Sequence, residues 1–76
     1  MGDIDKLVER ICRRPPEARF DDVRRLLEAF GWEMRRQKGS HVSFVKTGYA
    51  LFVVPKHNEK VKRAYLDDIC ERLGLE

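Results

Sequence analysis

The chain has 76 residues, 38% charged and 42% hydrophobic, with a formal net charge of +3. That length gives one small domain burying roughly 60% of its unfolded surface, which excludes a separate cofactor domain, and the composition excludes a disordered chain. No apolar run reaches signal-peptide or membrane length, and two cysteines without a CxxC pair indicate a cytoplasmic chain with both thiols reduced.

Ile4, Leu7, Val8 and Ile11 recur at helical spacing, which predicts an amphipathic helix over residues 3–13. Asp3 is its N-cap candidate, and Pro15-Pro16 ends it by removing amide donors and restricting the preceding residue. Val23, Leu26, Leu27 and Phe30 repeat the spacing over 21–30. Asp21 and Asp22 favour the start of that helix through capping and the dipole, Phe20 is placed to staple it, and Gly31 to stop it. The period then changes to two. Trp32, Met34 and Arg36 alternate with Glu33 and Arg35, as in a half-exposed strand. Lys38-Gly39-Ser40 is a turn, and residues 41–46 form a second strand with Val42 and Phe44 on one face and His41, Ser43 and Val45 on the other. Thr47-Gly48 predicts a tight hairpin turn, and residues 49–54 the most apolar strand, central in the sheet and ended by Pro55. Asn58 is the predicted cap of a last helix over 59–73, with Val61, Tyr65, Leu66, Ile69 and Leu73 as its buried stripe and Gly74 closing it. Two helices, three antiparallel strands and a helix make an α+β domain whose sheet buries one face and leaves the other open.

The positive charge is unevenly spread. Residues 1–31 carry seven acids and seven bases, residues 58–76 carry five acids and four bases, and residues 32–57 carry Glu33 against five bases. The whole excess therefore surrounds Gly39-Ser40-His41. Such a field suits a polyanion such as nucleic acid, and it equally suits a solvated sheet kept soluble by lysine and arginine. Cys12 and Cys70 sit beside apolar residues in predicted helices, as small core or boundary side chains. A zinc site from Cys12, Cys70, His41 and His57 lacks any finger-like ligand spacing. Of the aromatic residues Trp32, Phe44, Tyr49 and Phe52, all but Tyr49 fall on faces expected under the helices, which argues for core rather than a base-stacking platform.

The run from Gly31-Trp32 through Met34-Arg35-Arg36-Gln37-Lys38-Gly39-Ser40-His41-Val42-Ser43-Phe44-Val45-Lys46 is followed by Leu51-Phe52-Val53-Val54-Pro55-Lys56-His57-Asn58 and a C-terminal Ile69-Cys70-Glu71-Arg72-Leu73-Gly74-Leu75. Together these resemble the HicA (YcfA-like) toxins of bacterial type II toxin–antitoxin systems, over roughly residues 21–75. The resemblance implies a double-stranded-RNA-binding-domain-like fold and a ribosome-independent mRNA interferase held inactive by a HicB-type antitoxin. It implies His41 of the Gly-Ser-His motif as the catalytic residue, with His57 of a Pro-x-His motif in a secondary role. Residues 1–16 then form an N-terminal helical extension and residues 20–76 the HicA-like core, within a single domain spanning residues 1–76.

The chemistry asks little of the protein. RNA cleaves itself when its 2′-hydroxyl is deprotonated and aimed at the adjacent phosphorus. A histidine titrating near neutrality can move that proton. Arg35, Arg36, Lys38, Lys46 and Lys56 are candidate phosphate-binding residues, for affinity and for the charge of the transition state. Gly39 forms the turn and lets a phosphate approach the backbone. Ser40 and Ser43 either hydrogen-bond phosphate or are strand-edge polar residues. No metal or other cofactor is required, in keeping with the lack of a carboxylate cluster. Without the resemblance, His41 reads as a turn histidine with no role, and His57 as one that caps or bridges the chain. Lys60, Lys62 and Arg63 either extend the RNA footprint at a helix N-terminus or form a plain solvated face. An antitoxin is expected to cover His41 and the basic rim. The competing readings are a non-catalytic RNA- or DNA-binding module on the same surface and a protein-interaction domain whose charge only serves solubility.

Overall fold

The computed structural model describes residues 3–75. In chain order these form α1 (Asp3–Cys12), β1 (Glu17–Arg19), α2 (Phe20–Ala29), β2 (Glu33–Lys38), β3 (His41–Val45), β4 (Phe52–Pro55), β5 (Lys60–Lys62) and α3 (Arg63–Arg72). The fold is α+β, with an antiparallel sheet β2-β3-β4 and a two-stranded antiparallel sheet β1-β5. The described residues include no helix long and apolar enough to cross a membrane.

The helical spacing of the first third does what its periodicity demands. α1 buries Leu7 and Ile11, and α2 buries Phe20, Val23, Leu26 and Leu27. α2 starts one residue earlier than expected, with Arg19 at the N-cap and no side-chain cap, so Asp21 and Asp22 act in the first turn rather than as caps. Arg24 donates to Asp21 at 2.7 Å, which holds that carboxyl below the usual carboxylate range. At the other end Gly31 adopts φ 94°. The Trp32 amide then donates to the Leu27 carbonyl at 3.0 Å and the Gly31 amide to Glu28 at 3.1 Å, the paired bonds of a Schellman ending. The Lys46 ammonium donates to the adjacent Phe30 carbonyl at 2.8 Å.

The core lies between the helices and one face of the larger sheet. Val42 and Phe44 of β3 meet Phe52 and Val54 of β4, Trp32, and the apolar stripes of all three helices. β3 is the central strand, because it pairs with both β2 and β4. The apolar stretch expected at the centre is instead an edge, and it begins at Phe52 rather than residue 49. Residues 46–51 are not a two-residue hairpin but a loop in which the Tyr49 amide donates to the Lys46 carbonyl and the Tyr49 ring packs tilted against Trp32 with ring centroids 5.7 Å apart. Every residue of β2 is exposed, Met34 included, and its pairing with β3 shifts register between Met34 and Arg36. An edge strand has only one neighbour to cover it, so alternation in its sequence does not guarantee burial.

The largest departure lies after Pro55. Asn58 and Glu59 have φ values of 53° and 61°, so neither caps nor begins a right-handed helix. They are the two central residues of a tight turn in which His57 and Lys60 exchange backbone hydrogen bonds at 2.8 and 3.0 Å, the type I′ pattern. Lys60–Lys62 then runs as a strand beside β1, with Val61 opposite Ala18. α3 begins only at Arg63, behind an N-cap at Lys62. Val61 is buried, but from a strand rather than a helix. Leu66 and Ile69 are buried as expected, with Cys70 beside them, but Tyr65, expected in the same stripe, is 41% exposed.

Residues 3–19 are bound into this body rather than appended to it. α1 packs against α2 and α3, and Leu7, Ile11 and Ala18 belong to the core. Arg10 reaches the buried Asp22 carboxylate at 3.1 Å. The Pro15-Pro16 link is pinned by the Arg63 amide donating to Pro16 at 3.0 Å, the Arg63 side chain donating to the Arg14 carbonyl at 2.9 Å, and an Arg14–Asp67 ion pair.

Candidate functional site

The Gly39-Ser40 turn joins β2 to β3 and sets Lys38 directly across from His41. Gly39 takes φ 60° and Ser40 does not, the type II′ arrangement whose first central position favours glycine. A Cβ added to Gly39 would meet nothing within 4 Å, so it is the backbone conformation and not packing that calls for glycine here. The backbone is correspondingly open to an approaching group.

Register does the rest. His41 pairs with Lys38 on one side and Pro55 on the other, and Ser43 pairs with Arg36 and Val53. Directly opposed residues share a face, with Cβ atoms about 5 Å apart. Val42 and Phe44 are fully buried, so the alternate residues His41 and Ser43 belong to the opposite, open face. Two rows therefore cross that face: Lys38, His41 and Pro55 at the turn end, then Arg36, Ser43 and Val53. Among the described residues Arg36 and Lys38 make no ion pair, which leaves both charges free for a ligand.

The other basic residues singled out from the sequence are not equivalent. Lys46 leaves β3 at its far end, where its ammonium donates to Phe30 and lies 4.9 Å from the Tyr49 ring centroid. Arg35, the extra residue at the register shift, sits 3.7 Å from Glu33. Arg35 and Lys46 line one shallow pocket with Gly31, Glu33 and Thr47, away from the His41 turn. Lys56 is nearly buried: its ammonium pairs with Glu59 at 3.0 Å and lies 4.6 Å from the Phe20 ring centroid. It braces the turn that carries His57.

That turn brings a second group of residues to the site. The Lys56 amide donates to the Ser40 carbonyl at 2.7 Å, which closes the end of β4 onto the Gly39-Ser40 turn. Beyond it opens a cleft of about 250 Å³ lined by Ser40, Pro55, Lys56, His57, Lys60, Lys62 and Tyr65. Its lining holds three lysines, a histidine, a hydroxyl and a phenol, and no carboxylate. Lys60 stands 3.5 Å from Glu17, whereas Lys62 makes no ion pair among the described residues. The cleft shares Ser40 and Pro55 with the immediate surroundings of His41, so the two histidines flank one continuous stretch of surface. Helical spacing alone predicts a core position for Tyr65. Its place in the cleft follows from the strand that delays α3, and the sequence signal for that strand is the bare alternation Lys60-Val61-Lys62.

This arrangement brings together an exposed histidine, cations without ion-pair partners among the described residues and a concave basic surface. It suits an extended polyanion better than a small neutral substrate. No curated protein and no solved structure matches the chain. The family described as the HicA toxin of bacterial toxin–antitoxin systems matches residues 20–75, from the first residue of α2 to just past α3, and the chain belongs to that family.

Proposed function

We propose that this chain is a toxin-type endoribonuclease that cleaves mRNA by attack of the 2′-hydroxyl, with His41 moving the proton. Family membership supports an RNA-cleaving toxin with an antitoxin partner. The observation that carries the residue-level reading is the row Lys38, His41, Pro55 on the open face of the sheet, beside a cleft without carboxylates. In this reading His41 takes the proton from O2′. That oxygen bonds to the adjacent phosphorus, the P–O5′ bond breaks, and a proton delivered to O5′ completes a 2′,3′-cyclic phosphate and a 5′-hydroxyl. Lys38 and Arg36 balance the charge gathering on the phosphoryl oxygens. Gly39 lets the phosphate reach the backbone, and Ser40 and Ser43 donate to it. Lys62, Lys60 and His57 hold the next stretch of backbone in the cleft, where His57 is the candidate second group for proton transfer. Arg35 and Lys46 extend the footprint along the sheet, and Lys56 contributes by holding His57 in place.

In the same reading the fold is of the double-stranded-RNA-binding-domain-like kind, and the chain is a single domain, residues 1–76, with residues 1–16 as an N-terminal helical extension of the family core. A HicB-type antitoxin blocks the reaction by covering His41 and the free cations.

The test uses RNA and a DNA of the same sequence, with EDTA present. The active chain cuts RNA only, because DNA lacks the 2′-hydroxyl. His41→Ala lowers the cleavage rate by about 10²-fold or more while RNA affinity and its salt dependence persist. Undiminished cleavage by that variant overturns the assignment. Salt-dependent binding with no cleavage by the unaltered chain would instead favour a non-catalytic binding module.

A further inference from the structure

We propose that Cys12 and Cys70 are a site of reversible oxidation, forming an intramolecular disulfide that fastens α1 to α3. The two residues are 58 positions apart in the chain, yet their sulfurs lie 2.9 Å from each other with both thiols free. A disulfide needs about 2.05 Å, so bond formation asks for a shift of less than about 1 Å. The juxtaposition is firmly held. Cys12 is the last residue of α1, whose register on α2 is set by Leu7, Ile11 and the Arg10–Asp22 contact. Two residues later, Arg14 pairs with Asp67 of α3, and Arg63 donates to the Arg14 carbonyl. Cys70 sits in the fully buried stripe of α3. Neither thiol has a part in the proposed cleavage, and the pair spans the boundary of the family match, since Cys12 precedes residue 20 and Cys70 lies within 20–75.

The unequal burial sets the order of events. Cys12 is half-buried and Cys70 has no exposed surface, so a small peroxide reaches Cys12 first. The Cys12 thiolate attacks one peroxide oxygen, the O–O bond breaks, and a sulfenic acid and hydroxide result. The Cys70 sulfur then attacks the Cys12 sulfur, and the sulfenic hydroxyl leaves with the Cys70 proton as water. In sum, two thiols and one hydrogen peroxide give one disulfide and two waters, each sulfur losing one electron to the peroxide oxygens. A dithiol reductant reverses the bond by exchange. Burial pushes the Cys70 thiol up to about 12, which slows its reaction with free oxidant and with a sulfenic acid alike, but the sulfenic acid formed on Cys12 is already at contact distance and that proximity offsets the loss.

The experiment takes the full chain, reduced and dilute, adds hydrogen peroxide, and blocks remaining thiols with N-ethylmaleimide under denaturing conditions. The reduced chain takes up two equivalents. The oxidised chain should take up none, weigh two hydrogens less, stay monomeric, and return to the reduced mass with dithiothreitol. Its Tm should rise on the order of 10 °C, because the bond closes a long loop in the unfolded chain. Persistent free thiols, a Cys12 sulfinic acid beside an alkylatable Cys70, or a disulfide found only between molecules would each overturn the proposal. Cys12→Ser should abolish both the mass change and the Tm rise. If the peroxide-induced rise survives in that variant, the pairing is wrong.

Discussion

An L-residue held near φ +60° crowds its Cβ against the next carbonyl, at a cost of about 1–2 kcal/mol. Glu59 bears that cost at φ 61°, whereas Asn58 beside it tolerates the same region better. Replacing Glu59 with glycine should remove the strain and forfeit the ion pair to Lys56, whose exposed half is the Glu59 carboxylate and whose nearly buried ammonium keeps its contact with the Phe20 ring. The net expectation is a gain of roughly 0.5 kcal/mol, read as a higher urea midpoint with an unchanged slope. Cys70 carries a different residue-scale consequence. Its thiol is raised from 9.0 to about 12 by burial first and then by the contact with Cys12. The folded chain therefore favours the protonated thiol. That contribution is complete below about pH 9 and is lost as pH climbs toward 12, at no more than about 1.4 kcal/mol per pH unit. Fully reduced protein should thus lose more stability between pH 8 and pH 10 than a Cys70→Ala variant does, when the two are compared by denaturant unfolding. Equal losses would show that the thiol is not held protonated.

At the scale of elements, the segment that precedes the family match carries part of the fold. α1 supplies Leu7 and Ile11 to the core, and the strand just after it pairs with β5. Burying two such side chains is worth about 4 kcal/mol, a large share of what a domain this small has to spare. Deleting residues 1–16 should therefore abolish cooperative thermal unfolding, checked by circular dichroism, even though the family match begins only at residue 20. α1 and α2 were legible because four apolar residues in each repeat at helical spacing. β3 was legible because Val42 and Phe44 alternate with polar neighbours between two turns. β5 was not, for a physical reason: Lys60-Val61-Lys62 is too short to bear a period and is a strand only by virtue of β1, over forty positions earlier in the chain. Asn58 misled in the same way, since asparagine suits helix caps and left-handed turns alike, and only the partner strand decides between them.

For the molecule as a whole, the candidate site was half visible. His41, Lys38 and the Gly39 turn are contiguous, so the sequence carried them together. The cleft is not contiguous: Ser40, His57, Lys62 and Tyr65 meet only because β4 closes onto the first turn and β5 postpones α3. The open sheet face and the packed helices also divide the labour, with the proposed RNA contacts on one side and α1 resting on the helices. One edge of that sheet has a further bearing. β2 is exposed along its whole length and pairs only with β3, so its outer rim of amides and carbonyls is a ready template for another copy of itself. The irregular register at Arg35 and the charges of Arg36 and Lys38 are what discourage such stacking. Stripping both charges as Arg36→Ala with Lys38→Ala should raise concentration-dependent light scattering, while Arg36→Glu with Lys38→Glu should stay dispersed. The cations proposed to hold a nucleic acid would then also be the ones that keep the protein in solution, so selection for solubility alone would resist their loss.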